Sequence, residues 1–433
     1  MTQTYVRDFA TFAANGGGAG PAWLVPMRRA AIERFNALGF PTPKNEDWHF
    51  TSVSPIAERE FLPAPAAEVA LTAADVAPFG FGATDWIQLV FVNGRYAPAL
   101  SSGAALPAGV SVTDLAQAWR DDPALLERHL GRVADFRGAA FTALNTAFMY
   151  DGAVLRFGAD VVVDRPVHLL FVATGEGAGR VMHPRILIVA EPHAKATVVE
   201  SYVSLGDAAY FTNAVTEAVV RAGATLTHLK LQREAPSAFH VGTIEARQER
   251  DSHFISFSFA TGGALARTNV YTVLDGEGSG ATLDGLYMTD GTQHIDHQTR
   301  IEHAKPNTFS REVYKGILSG ESHAVFNGKV YVRPEAQKTD GKQENNNLLL
   351  SERARVDTKP QLEIFADDVK CTHGATVGRL DELALFYMKS RGIGAEHARK
   401  LLTYAFAAGV LEAIELEPVR RSLEQATMER FGQ

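Results

Sequence analysis

The chain of 433 residues carries 42 Lys and Arg against 50 Asp and Glu, a formal charge of −8, with 46% hydrophobic residues. This composition is typical of globular proteins and excludes a wholly disordered chain. No dominant basic block is present, which argues against nucleic-acid binding, and no run approaches 18 apolar residues, so we expect no membrane span. The single cysteine excludes an intrachain disulfide and, with no secretory signal at the start, predicts a reducing, cytoplasmic location.

The first 145 residues predict a helical and mixed region. Its clearest helix lies within residues 22–38, where apolar residues recur at steps of three and four: Leu24, Met27, Ala31, Phe35 and Leu38. Trp48 follows in a polar segment. We expect Trp48 to pack this region against the core of the protein, in preference to capping a ligand pocket.

Residues 146–377 predict a β-rich core. Short runs such as HLLFVAT, RILIVAE and FISFSFA follow one another, and Gly, Asp, Asn and Pro separate them. Similar triplets start at Ala196, Ala224, Ser252 and Ala281, with spacings of 28, 28 and 29 residues. Such periods in strand-rich sequence indicate stacked coils, propeller blades or a sandwich. Short strands and the run Asn345-Asn346-Asn347, whose amides could stack at corners, favour a β-solenoid, with a sandwich or barrel as the alternative.

Helical periodicity returns in residues 378–433, which predict a C-terminal helical domain. Leu380, Leu383, Phe386 and Tyr387 fall on one face of its first helix. RGIG ends that helix, and two further helical segments follow.

Several sequence motifs of enzymes are missing from the chain. It contains no GxxxxGK[ST], GxGxxG, HExxH or GxSxG pattern. The sequence therefore shows no machinery for nucleotide hydrolysis and no serine triad.

Cys371 and His373 are the first candidates for a chemical role. In an extended chain, residues at i and i+2 share a face, so this thiolate and imidazole could bind one soft metal. A lone cysteine is, however, more often a small buried apolar residue. Two ligands also leave a tetrahedral metal two short, so a metal site here requires a partner chain or an exogenous ligand.

His294 and Asp296 are the second candidates. On a strand they would point to one face, as in the beginning of a site of two histidines and one carboxylate, whereas His297 would point to the other face. The alternative interpretation is a row of polar residues facing solvent along a solenoid.

Three segments carry a resemblance to a known family. KTDGKQENNNLLLSERARVDTKPQLEIFADDVKCTHGATVGRLDELALFYMKSRGI, residues 338–393, resembles the SufB/SufD family of iron–sulfur cluster assembly proteins. HIDHQTRIEHAKPNTFSREVYKG, residues 294–316, and GFPTPKNEDWHFTS, residues 39–52, are similar to the same family. CTHGATVGRLDE, in place of the His-Glu-Ala block typical of SufB, is most similar to the SufD branch.

The resemblance implies a fold and a role. The expected fold is a right-handed parallel β-helix core, residues 146–377, between an N-terminal helical or mixed region, residues 1–145, and the C-terminal helical domain, residues 378–433. The expected role is that of a non-catalytic scaffold in a complex with SufB and SufC. The β-helix would pair with SufB, or with a second copy when alone. The C-terminal helices would dock SufC, an ABC-type ATPase, so that nucleotide hydrolysis lies in a partner.

The resemblance also assigns residues. His373 matches a histidine proposed to face a nascent Fe–S cluster or iron shared with SufB, and the isolated chain is expected to bind none. Cys371 matches a cysteine two positions earlier, which could ligate metal, relay sulfur or only pack. For SufC docking we expect exposed positions around Arg391, Glu396 and Arg399. The alternative function is a stand-alone metal-dependent oxygenase or hydrolase that uses His294 and Asp296.

Overall fold

Two long parallel β-sheets form the centre of the protein. The computed structural model describes residues 2–14, 20–64, 71–83, 85–102 and 106–430. The molecule is mainly β, with 40% strand and 27% helix. The prediction of a β-rich core between helical ends is confirmed.

The strands are β1 (Leu62–Pro63), β2 (Ile87–Val92), β3 (Arg95–Tyr96), β4 (Val110–Asp114), β5 (Gly152–Phe157), β6 (Val167–Ala173), β7 (Arg180–Met182), β8 (Arg185–Ala190), β9 (Lys195–Ser204), β10 (Phe211–Val220), β11 (Thr225–Arg233), β12 (Phe239–Gln248), β13 (His253–Ala260), β14 (Leu265–Leu274), β15 (Gly280–Thr289), β16 (His294–His303), β17 (Phe309–Leu318), β18 (His323–Val332), β19 (Asp340–Leu349), β20 (Arg355–Ile364) and β21 (Lys370–Gly378). The helices are α1 (Thr2–Phe12), α2 (Leu24–Leu38), α3 (Ser54–Ala57), α4 (Ala73–Val76), α5 (Leu115–Asp121), α6 (Pro123–His129), α7 (Ala140–Phe148), α8 (Glu382–Ser390), α9 (Ala395–Leu411) and α10 (Glu417–Arg430).

The chain alternates between the two sheets from β8 onward. One sheet, here called the even sheet, has the order β20-β18-β16-β14-β12-β10-β8-β5-β4. The other, the odd sheet, has the order β21-β19-β17-β15-β13-β11-β9-β6-β2-β3. Neighbouring long strands are parallel, so two successive strands make one coil of a solenoid with about 8 turns. The space enclosed between the two sheets is called the lumen below.

The repeat predicted from sequence is real, but part of its register is wrong. Leu226, and not Ala224, lies opposite Ala196, and Ala281 lies opposite Phe254. Both errors are slips of two residues. A slip of two keeps every side chain on its side of the sheet, so the apolar pattern alone cannot reveal it.

The asparagine run also lies elsewhere than predicted. Asn345 and Asn347 lie within β19 and not at a corner, and both are buried in the lumen. Asn345 Nδ2 donates to Tyr287 Oη at 3.0 Å, and Tyr287 Oη donates to Asn347 Oδ1 at 2.6 Å. The amides are satisfied there by a tyrosine two coils away.

The N-terminal region covers the outer face of the even sheet. Helix α2 forms where the periodicity predicts a helix, and it buries Leu24, Ala31 and Phe35, whereas Leu38 is exposed. The predicted boundary at residue 145 falls inside α7. Two strands of this region belong to the sheets, because β2 pairs with β6 of the odd sheet and β4 pairs with β5 of the even sheet.

The C-terminal helices lie on the outer face of the odd sheet. Ala407, Val410 and Leu411 of α9 pack in one cluster with Phe257 and Leu286 of the sheet. Among the described residues, every helix is too short or too polar to cross a membrane.

Candidate functional site

The solenoid ends at two edge strands, β20 in the even sheet and β21 in the odd sheet. β21 carries both Cys371 and His373. Cys371 packs beside a small apolar cluster that includes Val330 and Val332, so its side chain points into the lumen. His373 is two residues further along the strand and shares that face, as the spacing predicts.

Cys371 is half-buried at the end of the lumen. Its Sγ would lie 3.4 Å from a Cβ atom placed on Gly341, its neighbour on β19. Burial raises the pKa of the Cys371 thiol, so the protonated form is favoured in the chain on its own. A nearby cation or metal would be needed to stabilise the reactive thiolate.

His373 is exposed, and none of the described residues forms a hydrogen bond with its ring. The Gln343 side chain is its neighbour on β19 and is buried in the lumen. Over the described part of the chain, no group of three or more His, Cys, Asp or Glu side chains is arranged to hold a metal ion. Cys371 and His373 are two potential ligands at the open end, so a tetrahedral metal held there would need two more from outside the described residues.

His294 and Asp296 lie on the same outer face of β16, as predicted, but they do not face solvent. Asp296 is fully buried and accepts hydrogen bonds from Thr51 Oγ1 at 2.6 Å, Gln298 Nε2 at 2.6 Å and Arg267 Nη1 at 2.7 Å. Thr51 Oγ1 also lies 2.9 Å from His294 Nε2. These contacts tie the N-terminal region to the sheet and occupy the carboxylate that a metal would need.

His297 points to the opposite face, into the lumen, also as predicted. Its ring lies between those of Tyr287 and Tyr314, with centroid distances of 5.2 and 5.3 Å. Burial lowers the pKa of both His294 and His297 to about 4, so both rings are neutral at physiological pH.

A large cleft lies away from Cys371 and His373, neither of which lines it. It has a volume of about 1030 Å³ and separates the N-terminal region from the outer face of the even sheet. Charged side chains around it are paired with one another: Arg247 with Asp275 at 2.6 Å, and Lys359 with Glu46 at 3.0 Å. Trp48 lies at its wall and packs against the sheet, where the sequence predicts it.

The C-terminal helices expose both charged and apolar side chains. Arg391, Glu396 and Arg399, the positions predicted for docking, are exposed. Leu383 and Phe386 of α8 are 78% and 69% exposed, and Tyr387 beside them is also exposed. The sequence predicts that these residues share one face of a helix. That this face is exposed in the chain is seen only in the structure. We call these three residues the α8 patch.

Comparison with known proteins identifies close similarity along nearly the whole chain. Residues 171–406 match the family model for the SufBD core domain of SUF system FeS cluster assembly, and residues 2–169 match the model for the SufBD protein N-terminal region. The iron–sulfur cluster assembly protein SufD of Escherichia coli is 36% identical, over 94% of this chain and 92% of its own length. An iron–sulfur cluster assembly SufBD family protein of Synechocystis is 34% identical, over 93% and 90%. SufD of Bacillus subtilis is 30% identical, over 93% of both.

Proposed function

Because this chain belongs to the SufBD family of SUF-system iron–sulfur cluster assembly proteins, we propose that it is a scaffold subunit on which a nascent Fe–S cluster is built. In this role the chain pairs with a SufB-like subunit through the open end of the solenoid. Its C-terminal helices dock a SufC-like ATPase. The single observation that carries the proposal is the position of Cys371 and His373 on an edge strand at that open end.

The free edge of β21 supports the pairing. The Lys370 N–H bonds back to Thr339 on the previous coil, so the alternate residues from Cys371 to Val377 direct their main-chain groups to the open side. Such an edge is a template for a strand of another chain. A partner strand here would lie directly beside Cys371 and His373.

The edge of β20 is less suitable. Arg355 N–H and Phe365 N–H bond back to the previous coil, which places Pro360 among the residues that face the open side. Proline has no N–H to donate, so a strand added along β20 would lose a hydrogen bond at its centre. We therefore expect the partner strand to extend the odd sheet.

The donor set of the site also favours a shared cluster. A thiolate and an imidazole both bind iron, and Fe–S clusters accept mixed Cys and His ligation. The chain supplies one of each at the open end, and the partner and sulfide would complete the coordination. The cluster is here the cargo that is assembled and passed on.

The α8 patch supports a second docking surface on the C-terminal helices. Three large apolar side chains exposed together on one short helix are typical of a protein contact. Arg391, Glu396 and Arg399 lie close in sequence and would form a polar rim around it. This surface is on the side of the protein assigned above to the ATPase.

Co-expression with SufB-like and SufC-like partners tests the proposal, with size-exclusion chromatography and mass detection as the measurement. We expect a complex with one copy of this chain, one SufB-like subunit and two SufC-like subunits. Ala375→Pro removes a main-chain donor from the open side of β21 and should abolish SufB pairing. Thr358→Pro on β20 is the matched control and should pair normally. If the chain elutes alone and binds neither partner, the proposal is overturned.

A further inference from the structure

Glu312, Gln343 and His373 occupy the same register position on the consecutive strands β17, β19 and β21. Neighbouring strands of a sheet lie about 4.8 Å apart, so these three side chains are stacked along one column of the lumen. Glu312 and Gln343 are each 1% exposed. His373 ends the column at the open end of the solenoid.

The amide of Gln343 is bonded on one side only. Gln343 Nε2 donates to Glu312 Oε2 at 2.6 Å, whereas Gln343 Oε1 is buried and has no hydrogen-bond partner among the described residues. The oxygen and nitrogen of a planar amide point in different directions from their shared carbon. Because Nε2 makes the contact with Glu312, Oε1 needs a donor elsewhere, and His373 is the neighbour of Gln343 on the other side of the column.

A buried carbonyl oxygen without a donor is costly and rare in folded proteins, so this oxygen calls for a partner. The imidazole of His373 has an N–H to donate and forms no other hydrogen bond with a described residue. Rotation of this ring toward the lumen would satisfy both groups.

We infer that Gln343 is the positioning residue of His373: its Oε1 accepts the N–H of one ring nitrogen and leaves the lone pair of the other nitrogen facing the open end. This inference rests on the proposed function, which supplies the iron or cluster that the lone pair would meet. Histidines that bind metals are commonly oriented by a second hydrogen bond of this kind. Glu312 in turn orients the amide. Burial raises the pKa of Glu312 to about 7, and Oε2 can accept from Nε2 in either protonation state.

The test is the tautomer of His373, measured by NMR of the full chain labelled with ¹⁵N-histidine. Comparison with the spectrum of His373→Gln assigns the signal. We expect the population ratio of the two His373 tautomers to be several-fold larger than in free histidine. Gln343→Leu should abolish that bias. The matched control is Gln298→Leu, since Gln298 is similarly buried but lies on the outer face of the even sheet. A wild-type chain without tautomer bias would overturn the inference, and this result needs no variant to fold.

Cluster assembly in the complete complex separates the two proposals. We expect Gln343→Leu to slow assembly by roughly the same several-fold factor and Gln298→Leu to leave it unchanged. If His373→Ala has no effect on assembly, the proposed function of the site fails. If His373→Ala stops assembly but Gln343→Leu matches wild type in rate and tautomer, only the positioning inference fails.

Discussion

The guanidinium carbon of Arg267 lies 3.6 Å from the centre of the Trp48 ring. The same guanidinium donates to Asp47 O at 2.6 Å and to the Asp296 carboxylate at 2.7 Å. One buried cation on the even sheet thus holds both an aromatic ring and the main chain of the N-terminal region. This contact fixes how that region sits on the solenoid.

Replacement of Trp48 should therefore loosen the N-terminal region. We expect Trp48→Ala to lower the free energy of unfolding by about 2–3 kcal/mol, because it removes both apolar contact and the cation–π interaction. Urea denaturation measures this. Trp48→Phe retains a ring and should lose about half as much. Equal stability of Trp48→Ala and wild type would contradict the assignment.

Loss of the fully buried ion pair between Arg185 and Glu217 should lower the free energy of unfolding far more than loss of an exposed pair. Arg185 Nη2 lies 2.5 Å from Glu217 Oε1, and Glu217 also accepts three main-chain N–H bonds from residues 131–134. We expect Arg185→Leu to cost about 3–5 kcal/mol, because it leaves a buried charge without its partner.

The control for that variant is Arg156→Leu, at an ion pair with Glu191 in which the Arg156 side chain is 46% exposed. It should cost less than about 1 kcal/mol by thermal or chemical unfolding. Similar losses at the two pairs would show that Arg185 is not held as described.

Asp284 should make stability depend on pH. It is buried beside Phe257 under the C-terminal helices, and burial raises its pKa to about 7. A folded-state pKa above the unfolded value means that the favourable contribution is complete below about pH 4 and is lost as pH rises through about 7. Asp284→Asn should accordingly stabilise the protein at pH 8, by on the order of 2–4 kcal/mol, with little change at pH 4.

Asp340 provides a control of opposite sign for the Asp284 experiment. A hydrogen bond from Arg311 lowers the pKa of Asp340, so the charged form stabilises the fold at higher pH. Asp340→Asn should not raise stability at pH 8. A flat pH profile for the wild-type protein between pH 4 and 8, measured by denaturant unfolding, would contradict the account of Asp284.

His373→Ala should separate function from stability. The side chain is exposed, and its loss removes the inferred hydrogen bond to Gln343 Oε1, so we expect the free energy of unfolding to fall by no more than about 1–2 kcal/mol and the variant to stay folded. Cluster assembly by the complete complex should fall at least about tenfold if the imidazole binds the cluster. His49→Ala, another exposed histidine, is the control and should assemble clusters at the wild-type rate.

Substitutions in the α8 patch should weaken binding of the SufC-like subunit without lowering the stability of the fold. Leu383→Ser with Phe386→Ser should leave stability nearly unchanged, because both side chains are already exposed. Binding of the SufC-like subunit, measured by isothermal titration, should weaken at least tenfold. Met428→Ser on α10, also exposed, should bind as wild type does. Normal binding by the α8 variant would move the docking surface elsewhere.

The sequence predicted the parts of the fold that depend on local periodicity. Short strands at a period near 28 residues indicated a solenoid, and α2 formed where its apolar spacing indicated it. The strand register was partly wrong because two-residue slips preserve the faces of a sheet. The burial of Asn347 was also missed, since its partner Tyr287 is 60 residues away and no local pattern connects them.

The candidate site was likewise predictable from the sequence only in part. The shared face of Cys371 and His373 follows from strand geometry, so sequence could predict it. The cover over His294 and Asp296 comes from Thr51, more than 240 residues away, and only the folded structure shows it. The orphan oxygen of Gln343 likewise depends on the alignment of three separate coils.

Pro360 limits how many molecules can join one another by strand addition. At the other end of the solenoid, β3 and β4 close the two sheets as antiparallel strands, and β3 has only two residues. Among the described strands, β21 is then the one long edge with an uninterrupted row of main-chain donors. Each molecule can therefore accept one partner strand, along β21. We expect strand-to-strand joining of solenoids to stop at closed pairs and not to propagate into filaments, at any protein concentration.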